Sequence, residues 1–173
     1  MLIVETGAKE ANANSYVTLA EAAAYHELFG NLDWAGDDAT LEAALIQGCR
    51  AMEVLYGAMY MGIRLYGEQS LLYPRYTFND RDYRLINQGT IPKPLKDAQC
   101  EIALSYLLGN DAIPEADNTS LIASKSVEAG GVKSSTSYHR GIDAPMAQGY
   151  RTVELILQPI LRSKVNTNIE FRR

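Results

Sequence analysis

Apolar residues recur at helical spacing in four stretches of the chain, and each stretch has its own start or stop signal. Leu19, Ala22, Ala23, Leu28 and Phe29 supply a stripe for a helix over 19–29. Thr18 and Glu21 read as a capping box, each side chain satisfying a free N–H at the helix start. Gly30 suits the left-handed position after the end. Leu41, Leu45, Cys49, Met52 and Tyr56 are spaced by four and three and predict a second helix over 40–56. Asp37, Asp38 and Thr40 are its candidate caps, Gly57 is its stop, and Trp34 in the preceding loop covers the end of its core. Ile91-Pro92-Lys93-Pro94 opens a third helix over 92–108, where Leu95, Ala98, Ile102 and Tyr106 share a face with Ala103 and Leu107 alongside, and Gly109 ends it. A fourth runs over 150–161 with Val153, Ile156, Leu157, Ile160 and Leu161 on its apolar side, bent or shortened by Pro159.

Between the second and third helices the pattern is broken by Gly67 and Pro74. This region predicts irregular chain with a short extended piece at Leu71–Tyr73 and a charged turn at Asn79-Asp80-Arg81-Asp82. Segments 122–128 and 132–138 flank Gly130-Gly131, a pair that readily gives the positive φ angles of a hairpin turn. The hairpin, at about 121–138, is rich in serine and would be marginal by itself, which suggests an arm that gains partners elsewhere. The expected fold class is mainly α: a small bundle of about four helices with a β-hairpin arm and an extended C-terminal tail. Residues 1–161 form the helical domain and 162–173 the tail.

The 173 residues, 47% hydrophobic and 21% charged, suit one domain with one core. No apolar run is long enough to span a bilayer, and the start lacks the marks of a signal peptide, so the expectation is a cytoplasmic origin with no membrane partner. Cys49 and Cys100 fall on helical faces, outside any Cys-x-x-Cys pair, and read as buried hydrophobes. The net charge of −5 argues against tight nucleic-acid binding, which needs concentrated Lys and Arg. The tail alone is basic, with Arg162, Lys164, Arg172 and Arg173 against Glu170.

No motif for an enzyme emerges: there is no Gly-rich phosphate loop, no Gly-x-Ser-x-Gly and no His-Glu-x-x-His. His26 reads as a rim residue, His139 as part of a solvated turn, and Asp80 and Asp82 as a solvent-facing charged turn rather than a catalytic pair. The expectation is no catalytic site, no cofactor and no metal. Tyr56, Tyr60, Tyr66, Tyr73, Tyr76 and Tyr83 are interleaved with Arg64, Arg75, Arg81 and Arg84. Such a pattern can stack bases and neutralise phosphates. The four arginines face Glu68, Asp80 and Asp82, however, so packing in a core or at a subunit interface is the favoured reading.

The segment Ala13-Asn14-Ser15-Tyr16-Val17-Thr18-Leu19-Ala20-Glu21-Ala22 resembles the opening of a family of small phage proteins. Trp34 with Ala43-Ala44-Leu45-Ile46, Leu72-Tyr73-Pro74-Arg75, Asp80-Arg81-Asp82, and Ile91-Pro92-x-x-Leu95-Lys96-x-Ala98-Gln99-Cys100-Glu101-Ile102-Ala103-Leu104 look like its later blocks. The resemblance covers about residues 11–161. Such proteins are often labelled DnaT-like single-stranded-DNA-binding proteins, and they also resemble the helical adaptors encoded among phage head and tail genes. The adaptor resemblance implies a ring of about twelve copies below the portal, in the neck of a virion assembled in the host cytoplasm. Acidic copies would repel duplex DNA passing through without gripping it. On this expectation the protein is a structural head-to-tail connector whose partners are the portal protein, the next tail or neck protein, and itself. Arg162, Lys164, Val165, Ile169, Phe171, Arg172 and Arg173 would bind the portal, and Val127, Val132, Tyr138, Tyr60 and Tyr66 would lie between subunits. The alternative is a single-stranded-DNA-binding protein of DnaT-like type, with Tyr60, Tyr66, Arg64 and Arg75 carrying the contact.

Overall fold

The computed structural model describes residues 1–110, 124–129, 132–137 and 150–162. The fold is mainly α. In chain order it contains α1 (Leu19–Phe29), α2 (Asp38–Tyr56), β1 (Phe78–Asn79), β2 (Leu85–Ile86), α3 (Lys93–Leu107), β3 (Ser124–Ala129), β4 (Val132–Ser137) and α4 (Tyr150–Leu157). Short 3₁₀ turns, Gly57–Met59 and Gln158–Ile160, extend α2 and α4. β1 pairs with β2 and β3 with β4, both antiparallel. Val127 faces Ser134 and Ala129 faces Val132 in the second pair, while Tyr138 lies outside the described residues. No described helix is long and apolar enough to cross a membrane.

The helix starts follow from the predicted chemistry. The Thr18 hydroxyl accepts from the Glu21 N–H and the Glu21 carboxylate accepts from the Thr18 N–H, closing the capping box. Asp37 accepts from the Thr40 N–H, so α2 begins at Asp38, earlier than its apolar stripe suggests. Gly57 keeps a right-handed helical conformation and does not stop the helix, which runs on as the 3₁₀ turn. Pro159 shortens α4 and its last turn tightens.

The core lies where α3 packs against α2 on one side and α4 on the other. Leu45, Cys49 and Met52 meet Leu95, Ala98, Ile102 and Ala103, with Val153, Leu157 and Ile160 completing the cluster. Gly48 lets α2 and α3 come close: a methyl group there would sit 3.0 Å from both the Ala103 nitrogen and the Gln99 carbonyl oxygen. Both thiols are buried, and burial pushes Cys100 up to about 12.

Gln99 joins three parts of the chain inside this core. Its side-chain oxygen accepts from the Tyr16 N–H (2.9 Å), and its amide nitrogen donates to Ser15 Oγ (2.7 Å) and the Leu45 carbonyl (2.9 Å). Glu53 on α2 works similarly: its carboxylate accepts from the Tyr16 hydroxyl and the Leu72 N–H, both at 2.8 Å. The Tyr16 oxygen in turn accepts from the Tyr73 N–H at 3.0 Å. The backbone of Leu71–Tyr73 is therefore bonded to side chains and forms no strand, contrary to expectation.

Helix α1 buries only part of the predicted stripe, since Ala22 is buried and Leu19 packs against the core while its C-terminal end turns outward. Ala22 and His26 point inward, whereas Leu28 and Phe29 are 78% and 60% exposed. His26 is a buried residue and not a rim residue, because its ring stacks on Trp34 at a centroid distance of 4.3 Å. Its Nδ1 accepts from the Asn31 side-chain amide, which puts the ring proton on Nε2, and that atom has no partner. Burial pushes its pKa down to about 4.

Two predictions follow from this packing. Replacing Gln99 with Leu orphans the Tyr16 N–H, while the Leu45 carbonyl keeps its helical bond, and should cost about 1 to 3 kcal/mol in urea unfolding. His26 is neutral when folded and titrates near 6.5 when unfolded. Its contribution to stability is therefore complete above about pH 6.5 and is lost as the pH falls towards 4. The Tm of His26→Phe should fall less than that of the parent across this window.

Candidate nucleic-acid interface

The chain from Tyr60 to Ile86 wraps one end of the bundle and is organised around Arg75. Arg75 is 7% exposed. Its Nη1 donates to the carbonyls of Tyr60 (3.2 Å), Met61 (3.0 Å) and Gly62 (2.8 Å), and its Nε to that of Leu72 (3.2 Å). The charge also lies over the rings of Tyr60 and Tyr73, 5.5 and 5.4 Å from their centroids. These bonds hold a narrow antiparallel ribbon. The Leu65 N–H donates to the Pro74 carbonyl and the Tyr76 N–H to the Ile63 carbonyl, so Arg64 stands opposite Arg75. Ile63 and Tyr76 flank this bridge with 72% and 51% of their surface exposed.

The ribbon leads into the β1–β2 hairpin, where Phe78 faces Ile86 and Asn79 faces Leu85. Phe78 packs on Gly62, whose φ of +77° and lack of a side chain allow the contact. The hairpin turn is tied by Asp80. Its Oδ1 accepts from the N–H groups of Asp82 (2.9 Å) and Arg84 (2.8 Å). Asp80 is buried, so it is a structural acid and not a solvent-facing one. The Arg81 N–H donates to the Pro159 carbonyl and its Nε to the Leu161 carbonyl, both at 3.0 Å, which fastens the turn to the end of α4. At the tip stands Tyr83, 88% exposed and held at φ +60°. That left-handed conformation is an outlier for a bulky aromatic residue.

The interleaved tyrosines thus separate into two sets. Tyr56, Tyr60 and Tyr73 are buried in the core. Tyr66, Tyr76 and Tyr83 are exposed, with Arg64, Arg81 and Arg84 exposed among them. Lys9 from the N-terminal segment lies 5.7 Å from the centroid of the Tyr66 ring. Of the residues expected to touch a strand, Tyr66 and Arg64 are available, whereas Tyr60 and Arg75 point inward and hold the surface in place. The same burial removes Tyr60 from any contact between subunits. Tyr76 and Tyr83 belong to the candidate surface in their place. Arg162 lines a cleft beside the turn, and the other tail residues, Lys164, Val165, Ile169, Phe171, Arg172 and Arg173, lie outside the described residues. Among the described residues no group of three or more His, Cys, Asp or Glu could hold a metal ion.

Residues 1–173 match a family described as "Putative DnaT-like ssDNA binding protein". The chain belongs to this family. No curated protein and no solved structure matches it. The DnaT-like resemblance therefore holds over the whole chain, and the head-to-tail connector expectation is corrected. The description of the matched family agrees with the alternative reading and not with a portal-bound ring. The physical error lay in using the net charge of −5 as if it described every surface. In this DnaT-like chain Glu5 and Asp80 are buried against backbone N–H groups, and Glu53 accepts from an N–H and a hydroxyl. The arginines of the ribbon and the hairpin, Arg75 excepted, face outward.

The left-handed tyrosine has a testable cost. Tyr83→Gly should raise stability by about 0.5 to 1 kcal/mol in urea unfolding, because glycine adopts this φ without strain. Tyr83→Val should lower it, because a β-branched side chain fits that region worst.

Proposed function

We propose that the protein binds single-stranded DNA with the ribbon and hairpin formed by residues 62–86. The observation that carries this reading is the family match across residues 1–173. The exposed tyrosines and arginines give it a physical site. Unpaired bases present both faces for stacking, and Tyr66, Tyr76 and Tyr83 offer rings from a backbone already fixed by Arg75 and Asp80. Arg64 and Arg84 lie within the same segment to meet phosphates. Stacking does not select a base, so binding is indifferent to sequence. A duplex hides its base faces and gains only the electrostatic part, so the single strand is preferred. The reading involves no catalytic step.

The charge balance sets the strength. Glu68 and Asp82 are exposed on the same segment and offset part of the positive charge. The affinity therefore leans on stacking, at about 1 to 3 kcal/mol per base. With three to four phosphates contacted, the logarithm of the affinity should fall against the logarithm of salt with a slope of about −2 to −3.

Fluorescence anisotropy with a labelled oligo-dT strand checks this. Tyr83→Ala and Tyr76→Ala should each weaken binding roughly 5- to 100-fold with little change in salt slope. Arg64→Ala and Arg84→Ala should each make the slope shallower by about 0.7. Equal binding of single strand and duplex, or tyrosine variants that bind as the parent does, would overturn the reading.

A further inference from the structure

We infer that the cleft between the hairpin turn and the end of α4 is a phosphate seat, one that holds a nucleotide phosphate of the strand lying on the neighbouring ribbon; this rests on the single-strand reading. The cleft has a volume of about 360 Å³. Arg81, Arg151 and Arg162 line it against Glu154, so arginine outnumbers carboxylate. Its apolar lining comes from Met59, Leu155 and Leu161.

Three observations favour a phosphate. First, the arginines come from separate places, the hairpin turn, the first turn of α4 and the chain after α4, yet they converge on one concavity. None of the three is ion-paired among the described residues. Second, two positive charges meet at one oxygen. Arg75 Nη1 donates to the Gly62 carbonyl at 2.8 Å, and Arg162 Nη2 approaches the same oxygen at 3.5 Å. The cost is visible at Arg75: burial pulls its pKa below the usual value, and the Arg162 charge pulls the same way. An anion in the cleft would offset that repulsion. Third, Arg81 donates its Nε to the Leu161 carbonyl, which fixes the side chain and leaves its terminal nitrogens for a ligand. A planar guanidinium held in this way suits the paired oxygens of a phosphate. The volume lies within the range of a small-ligand pocket and is ample for one phosphate with its sugar. The phosphate could be internal to the strand or at its 5′ end, and the chemistry of the seat is the same for both.

The test uses the full chain, Arg151→Ala, Arg162→Ala, and Tyr83→Ala as the ribbon control. Oligo-dT strands with and without a 5′-phosphate are titrated across a salt series, and dTMP is compared with thymidine by thermal shift. Arg151→Ala should weaken strand binding about 5- to 20-fold and make the salt slope shallower by about 0.7, since the phosphate contact is lost. Tyr83→Ala should leave the slope in place. dTMP should raise the Tm of the parent and not of Arg151→Ala, and thymidine should raise neither. A preference for the 5′-phosphorylated strand that vanishes in Arg151→Ala places the strand end in the cleft; equal binding of both strands places an internal phosphodiester there. If Tyr83→Ala weakens binding while Arg151→Ala and Arg162→Ala bind with parental affinity and slope, the seat is wrong and the ribbon reading stands. If the parent binds no single strand, the ribbon reading fails and the seat fails with it.

Discussion

A single buried guanidinium organises the chain between α2 and α3. Arg75 reaches under the ribbon, bonds four carbonyls and lies over two tyrosine rings. A buried charge is tolerated only when it is paired or hydrogen-bonded, and here four main-chain carbonyls accept from its Nε and Nη1. The backbone that follows α2 has few regular hydrogen bonds of its own, so without this centre Tyr60–Gly62 and Leu72 would lose a shared donor. The exposed side chains depend on it indirectly. Ile63, Arg64 and Tyr76 are held in register because their neighbours are tied to one cation, and Phe78 seats on Gly62 because that carbonyl is fixed.

The acidic composition has a matching explanation. Several carboxylates act as inward-facing caps for irregular backbone. Glu5 accepts from the N–H groups of Gly7, Lys9 and Glu10, and Asp80 from those of Asp82 and Arg84. Glu53 joins α2 to Tyr16 and Leu72, and burial raises its pKa. Such residues count in the net charge but are withdrawn from the outer surface. At the ribbon and hairpin a ligand meets Arg64, Arg81 and Arg84 with Glu68 and Asp82 exposed beside them, and at the cleft it meets Arg151 and Arg162 with Glu154. An argument from net charge alone points away from nucleic acid, whereas the exposed charges of the ribbon and hairpin leave a small local excess of arginine.

The parts of the fold legible in the sequence were those set by neighbours within a few positions. The capping box at Thr18, the left-handed Gly30 and the stripes of α2 and α3 are local, and they appear as the pattern implies. The inward face of α1 was legible only at Leu19 and Ala22, because docking at an edge turned His26 in and left Leu28 and Phe29 out. The two-residue strands β1 and β2 have no periodicity to read; Asp80 and the contact of Arg81 with the end of α4 create them. The tyrosines of residues 56–83 were visible as a group, but which of them would be buried depended on Arg75 and on Glu53, both reached through the tertiary fold. Arg151 gave no signal at all beyond an ordinary polar position on α4, since its neighbours in the cleft come from the distant hairpin turn.

The pairing of His26 with Trp34 has a practical consequence. Trp34 is the only tryptophan in the chain, and its indole stacks on the imidazole and is not among the residues that line the cleft. Its emission is therefore an intrinsic optical signal for the docking of α1, quenched when the imidazole becomes charged and separable from events at the hairpin. The undocking of α1 can thus be followed at the tryptophan wavelength without attaching a label.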